Sequence, residues 1–158
     1  MGNNFKYGLY IAATLIVYFL IIDLVLDQAE VIYFSFFNAI LTAGGLFLAV
    51  RDVYKHEKET FKYMDGFQAA LVAGLIGTTI FTVFMAVYLF EIDPELALAI
   101  KEQITIAGNG IEVAILLFVF LSGLATTIVS ALFILPIYKR SWNTKGVRES
   151  QNPMKHKA

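Results

Sequence analysis

The hydrophobic positions of the chain fall into four long runs separated by short polar segments. A transmembrane helix needs about 20 mostly apolar residues, because each residue adds about 1.5 Å along the helix and the hydrocarbon core is about 30 Å thick. All four runs reach this length and carry no Asp, Glu, Lys or Arg over most of it. They cover residues of about 5–26, 31–50, 67–90 and 111–137. The pattern therefore predicts four membrane-spanning helices.

The segments between the runs are short enough to predict how the helices connect. Asp27 to Glu30 leaves so few residues that the first two helices form a tight antiparallel hairpin. From Arg51 the charges alternate, which favours a cytoplasmic extension of the second helix, followed by a turn near Asp65-Gly66. The first run is too long for a signal peptide and has no small-residue cleavage pattern after it, so it is expected to stay as an anchor.

The third connection predicts a further, shorter helix. Asp93 before Pro94 and Glu95 is typical of a helix start, with an N-cap, a proline at the first position and an acid near the positive helix end. A helix of about three turns is expected at the outer membrane surface. A continuous extension of the third or fourth span is the alternative. The apolar stripe behind this prediction consists of Leu96, Ile100, Gln103, Ile104 and Ala107, and Gly108-Asn109-Gly110 ends it.

The basic residues predict an orientation. Eleven of the twelve Lys and Arg residues lie at the N-terminus, in the middle connection or in the tail, and only Lys101 lies in the other two connections. Positively charged connections are retained in the cytoplasm. The sequence therefore predicts that both termini are cytoplasmic, although the net charge of -1 conceals this asymmetry.

Small residues recur at helical spacing in the third and fourth spans. Hydrophobic burial does not drive helix association in lipid, so small residues that allow close approach indicate packing faces. The two spans are therefore predicted to pack together, and a polar lining for a solute pathway is the alternative use of their hydroxyl groups. The rows are Gly66, Ala70, Gly74, Thr78 and Thr82 beside Ala73 and Gly77 in the third span, and Gly123, Thr127 and Ala131 beside Ser122, Thr126 and Ser130 in the fourth.

The second span contains a polar face formed by Ser35, Asn38, Thr42 and Gly45. Asn38 is the only carboxamide in the middle of a span, and an interhelical hydrogen bond by such a group contributes about 1 kcal/mol. Tyr18 lies deep in the first span, where its hydroxyl needs a partner. We expect this partner to be Asn38 or Thr14. Asn38 and Thr42 are also candidates for polar lining.

Composition narrows the classes of function. The chain has 158 residues, of which 58% are hydrophobic and 16% charged, and it has no cysteine. No ionisable residue falls in the middle of a span, which disfavours a proton relay or an ion-coupled transporter. His56 and His156 lie in polar segments and Met residues do not cluster, so no metal, haem or other cofactor is expected. Basic residues are not interleaved with aromatic ones on a soluble face, so no nucleic-acid partner is expected.

Several segments, in their order along the chain, carry a resemblance to a known family. They are the start Lys6-Tyr7-Gly8, the charged loop leading into Gly66-Phe67-Gln68-Ala69-Ala70 and Gly74, the segment Ile92-Asp93-Pro94-Glu95, and the basic stop Lys139-Arg140. Together they resemble a family of small bacterial inner-membrane proteins, found mostly in Bacteroidetes, known as domain of unknown function 4199. The resemblance covers nearly the whole chain, although the third loop is shorter than is usual in the family. It implies a four-helix inner-membrane unit and supplies no activity or site residues.

The sequence thus predicts an all-α integral membrane four-helix bundle in residues 1–138 and a basic, unstructured cytoplasmic tail in residues 139–158. The expected function is that of a structural or accessory subunit, not an enzyme, in a bacterial inner membrane. Its expected partners are the lipid bilayer and either a second copy or a larger membrane complex. The alternative is a small-solute transporter or channel built by oligomerisation. The residues predicted to serve in helix packing or as polar lining are Tyr18, Asn38, Thr42, Gly74, Thr78, Thr82, Gly123 and Thr127.

Overall fold

The computed structural model describes residues 3–26, 29, 32–56, 61–103 and 110–138, and these form an all-helical fold without strands. The predicted connection Asp27 to Glu30, apart from Ala29, and the predicted tail 139–158 lie outside the described residues. The helices are α1 (Asn3–Leu24), α2 (Ile32–His56), α3 (Tyr63–Val87) with a π-helical turn (Tyr88–Ile92), α4 (Pro94–Gln103), and α5 (Ile111–Ile134) with a 3-10 turn (Leu135–Tyr138).

Four of these helices are long and apolar enough to cross a membrane, as the sequence predicts. The shortest spans have 21 residues, which corresponds to about 31 Å of helix. Many large apolar side chains point away from the bundle, among them Tyr33 (80% exposed) and Phe133 (77% exposed). Because continuous apolar surface of this extent is unfavourable in water, the fold is that of a multi-pass membrane protein.

Of the two predictions for the end of α2 and the start of α3, one is confirmed and the other is wrong. α2 continues as a helix through the charged residues to His56, as expected. The turn predicted near Asp65-Gly66 is wrong, because α3 begins at Tyr63 and both residues lie in its first turns. The Asp65 carboxylate accepts a hydrogen bond from the backbone N–H of Lys62 at 3.0 Å, which stabilises a helix start at this point.

The third connection contains α4, which is a separate helix and not a continuation of α3. Asp93 separates α4 from the π-helical turn, and its Oδ1 accepts hydrogen bonds from the backbone N–H groups of Glu95 and Leu96, both at 3.1 Å. This is the N-cap that the sequence predicts. Leu96 is buried and Ile100 half-buried, while Ile104, Ala107, Gly108 and Asn109 of the predicted stripe and stop lie outside the described residues.

The helices α2 and α3 pack against each other at the centre, and α1 and α5 flank this pair from opposite sides. α3 is the most buried of the four spans, and α5 is the least buried. Contacts between Phe47 and Tyr138 and between Gly66 and Leu135 place the ends of α2 and α5 and the start of α3 at one end of the bundle. We call it the basic end, because Lys6, Arg51 and Lys62 lie there. The opposite end, with Asp23, Tyr88 and α4, is called the α4 end.

Candidate functional site: small and polar residues between the helices

The interface of α3 and α5 is built from two reciprocal glycine–threonine contacts. A Cβ atom added at Gly74 would overlap the side chain of Thr127, and one added at Gly123 would overlap Thr78. Each helix therefore inserts a threonine into the space left by a glycine of the other, which allows the backbones to approach closely. Thr78 and Thr127 are 3% and 1% exposed, so the contact excludes solvent and lipid.

The Thr127 hydroxyl of this interface bonds to its own helix. Thr127 donates to the carbonyl oxygen of Gly123, one turn earlier, at 2.9 Å. In α1, Thr14 donates to the carbonyl oxygen of Tyr10 at 2.8 Å in the same manner. This back-bonding is common for Ser and Thr in membrane helices. It fits the packing interpretation of Thr127 better than the polar-lining one.

A second packing centre surrounds Ile11 of α1. The Ile11 side chain fills the space beside Gly45 of α2 and beside Gly77 of α3, and it is 2% exposed. One isoleucine thus joins three helices through two glycines. Both glycines are recognisable in the sequence as small residues at helical spacing, whereas Ile11 is not, because an isoleucine within an apolar run carries no signal of its own.

Both partners expected for Tyr18 are wrong, although the acceptor lies in α2, as Asn38 does. The Tyr18 hydroxyl donates to the backbone carbonyl oxygen of Phe34 at 3.0 Å, and neither Asn38 nor Thr14 is its acceptor. Phe34 lies one turn before Asn38 in α2, and a backbone carbonyl has a second lone pair available for such a bond. Sequence spacing identifies polar side chains as partners, but it does not show which backbone oxygens are within reach.

Two predicted polar residues have a buried oxygen without a hydrogen-bond partner among the described residues, namely Asn38 (Oδ1) and Thr82 (Oγ1). Thr42 is buried at 4% exposure, and the side chain of Ser35 lies outside the described residues. Of the predicted residues, the structure brings together Gly74, Thr78, Gly123 and Thr127. Tyr18 bonds to Phe34 and forms no hydrogen bond with Asn38.

At the α4 end, a hydrogen bond that the sequence analysis missed joins α1 to the end of α3. The Tyr88 hydroxyl donates to the carboxylate of Asp23. The Tyr88 ring packs edge-on against Phe19 at 4.9 Å between ring centroids and lies 5.7 Å from Phe84. Tyr88 itself is 4% exposed. The only sequence signal was an acid near the end of one span and a tyrosine near the end of another.

An aromatic cluster closes the basic end of the bundle. Tyr54 lies 4.9 Å from Tyr138 and 5.2 Å from Phe61 between ring centroids. On the other side of α2, the hydroxyl of Tyr7 lies beside the carboxylate of Asp52. These contacts hold the end of α2 against α1, the start of α3 and the end of α5.

The described residues contain no group of three or more His, Cys, Asp or Glu side chains that could hold a metal ion. His56 lies at the exposed end of α2, with its Nδ1 2.8 Å from the carbonyl oxygen of Asp52. Among the described residues the arrangement therefore consists of close helix contacts, buried oxygens of Asn38 and Thr82 without a hydrogen-bond partner, and tyrosine hydroxyls that bond to other helices. Its chemistry is that of packing and hydrogen bonding.

Comparison with known proteins gives a family and no functional relative. No curated protein and no solved structure matches the chain. A family model described as a protein of unknown function, DUF4199, matches residues 6–136, which include the second and third spans and all but two residues each of the first and fourth. The resemblance seen in the sequence is thereby confirmed. The chain belongs to the DUF4199 family of proteins of unknown function.

Proposed function

We propose that this protein is a structural or accessory subunit of a bacterial inner-membrane assembly, in which a further membrane helix packs against the outward face of α2. The observation that carries the proposal is Gly44. It lies in the middle of α2 and is exposed, and a Cβ atom added there would meet nothing within 4 Å. The neighbouring Gly45 faces inward and accommodates Ile11.

Gly44 differs from every other helical glycine of the described residues. The others each face a neighbouring side chain that an added Cβ atom would approach to less than 3.0 Å; they are Gly8, Gly45, Gly66, Gly74, Gly77 and Gly123. A glycine inside a helix is about 1 kcal/mol less favourable than an alanine. In a membrane this is offset where the glycine lets another helix approach closely. A helix of another subunit on Gly44 would complete the same pattern.

The inner-membrane location and the cytoplasmic position of both termini are part of the proposal. They are supported by the distribution of eleven of twelve basic residues in the sequence and by the grouping of Lys6, Arg51 and Lys62 at one end of the bundle. The proposal assigns no enzymatic activity, since the acidic residues near the spans, such as Asp23, Glu91 and Glu112, lie close to helix ends. At such positions a charge needs no functional partner to be tolerated.

The test is affinity purification of the full chain in mild detergent, with Gly44→Leu compared to the unaltered chain. A Cβ atom at position 44 meets nothing within 4 Å, so a leucine there is expected to leave the bundle folded while it blocks the approach of another helix. We expect a different subunit to co-purify in stoichiometric amount with the unaltered chain and to be lost from the Gly44→Leu sample. Mass photometry and mass spectrometry of the purified particles measure this.

Val83→Leu is the matched control, because Val83 is 59% exposed on α3 and the change enlarges a different lipid-facing position. This variant is expected to keep the partner. Purification of the unaltered chain as a monodisperse monomer with nothing bound would contradict the proposal, and so would a partner retained by Gly44→Leu.

A second candidate function is a small-solute transporter or channel formed by several copies. The observation that favours it is that the buried oxygens of Asn38 and Thr82 have no hydrogen-bond partner among the described residues, since an unsatisfied buried polar atom is unfavourable by about 1 to 3 kcal/mol. The same purification separates the candidates. A defined homo-oligomer supports this second function, and a complex with a different subunit supports the accessory function.

A further inference from the structure

Tyr88 connects three parts of the α4 end. Its hydroxyl donates to Asp23 of α1, and its carbonyl oxygen accepts a hydrogen bond from the backbone N–H of Asp93 at 2.8 Å. Its ring lies between the helices against Phe19 and Phe84. Because Asp93 is the N-cap of α4, the position of Tyr88 determines where α4 starts and in which direction it leaves the bundle.

Few of the described side chains of α4 are buried. It has ten residues, and a helix of this length is marginal in water without packing. Of its side chains, Leu96 (5% exposed) and Ala97 (0% exposed) belong to the same buried cluster as Tyr88 and Ile111, whereas Leu98 is 55% exposed. Segments with so few buried contacts open locally at small free-energy differences. The position of α4 on the bundle therefore depends on the hydrogen bonds of Asp93 and Tyr88.

We propose that the hydrogen bond between Tyr88 and Asp23 is a latch that holds α4 closed over the α4 end of the bundle. When the bond is broken, the π-helical turn is released from α1 and α4 opens as a unit, exposing Leu96 and Ala97. The latch is a conformational device of the α4 end and is independent of the partner proposed for Gly44, which lies in the middle of α2. Its test therefore succeeds or fails separately.

Cysteine labelling tests the latch, because the chain contains no cysteine of its own. Ala97→Cys is introduced into the full chain in lipid nanodiscs, and the rate of its reaction with a water-soluble maleimide is measured. We expect slow labelling in the otherwise unaltered chain and about tenfold faster labelling when Tyr88→Phe is added, the change corresponding to one lost hydrogen bond. Tyr88→Phe keeps the ring and removes only the hydroxyl.

Tyr18→Phe is the matched control, because it removes another interhelical tyrosine bond, the one to Phe34, that has no connection to α4. It is expected to leave the labelling of Ala97→Cys unchanged. Leu98→Cys, at an exposed position of the same helix, is expected to react rapidly in every background. Asp23→Leu is expected to accelerate the labelling of Ala97→Cys as much as Tyr88→Phe does, with no further increase when both changes are combined.

Three results would overturn the proposal. Equal labelling of Ala97→Cys with and without Tyr88→Phe would show that the bond does not hold α4. Equal acceleration by Tyr18→Phe would show a general loosening of the bundle. Rapid labelling of Ala97→Cys in the unaltered background would show that α4 is not closed at all.

Discussion

At the residue scale, the fold depends on pairs of a small residue and a larger one. Gly74 and Gly123 allow close helix contact because Thr127 and Thr78 fill the space beside them. Gly45 and Gly77 do so because Ile11 fills the space beside both. In lipid, where apolar burial does not bring helices together, such close contacts supply the attraction through van der Waals packing. The identity of each glycine thus matters through the residue that faces it.

Replacing a paired glycine is expected to destabilise the bundle, whereas replacing an unpaired one is not. Gly74→Leu would force the side chain into Thr127, and overpacking of this kind lowers the free energy of unfolding by about 1 to 3 kcal/mol. Thermal unfolding in detergent, followed by circular dichroism, measures the change. Gly44→Leu is the control with the same substitution, and it is expected to keep the stability of the isolated chain or raise it. Equal loss in both variants would contradict the packing interpretation.

At the scale of elements, local capping determines where helices start. Asp93 caps α4 through two backbone N–H groups, and its spacing before Pro94 and Glu95 is sufficient to predict this from the sequence. Asp65 also stabilises a helix start, but from the third position of α3, where it accepts the backbone N–H of the N-cap residue Lys62, and its position before a glycine favoured a turn in the sequence. The glycine is tolerated inside α3 because Leu135 and Phe61 pack against it, which is a tertiary contact.

Removal of the α4 cap is expected to fray that helix without unfolding the bundle. Asp93→Ala loses both hydrogen bonds to the backbone, and loss of an N-cap typically lowers helix stability by about 1 kcal/mol. Hydrogen exchange measured by mass spectrometry is expected to show faster exchange across Pro94–Gln103 and unchanged exchange in α3. Asp93→Asn keeps a capping oxygen and should resemble the unaltered chain. Exchange as fast in Asp93→Asn as in Asp93→Ala would contradict the role of the cap.

At the scale of the whole molecule, the bundle has two different ends. The basic end contains Lys6, Arg51 and Lys62 and is closed by aromatic rings, while the α4 end contains Asp23, Asp93 and a helix that covers it. Antiparallel packing of consecutive spans follows from the short connections, and it places Lys6, Arg51 and Lys62 at one end. The charge asymmetry of the sequence is therefore also an asymmetry of the fold.

This asymmetry predicts the outcome of a topology experiment. Single cysteines are placed at exposed Lys55, near the basic end, and at exposed Leu98 of α4. In intact bacterial cells, a membrane-impermeant maleimide is expected to label Leu98→Cys and to label Lys55→Cys only after permeabilisation, because basic segments are retained in the cytoplasm. The reverse pattern would contradict cytoplasmic termini.

The sequence by itself determined the number of spans, the existence and cap of α4, the faces rich in small residues and the family. These features depend on local composition, spacing or capping chemistry, which any chain segment carries with it. The tertiary structure decided that α2 and α3 are central, that Ile11 fills the space beside two glycines, that Tyr18 bonds to Phe34, and that Tyr88 reaches Asp23. These depend on which helix faces which, and apolar runs of similar composition do not encode that choice locally.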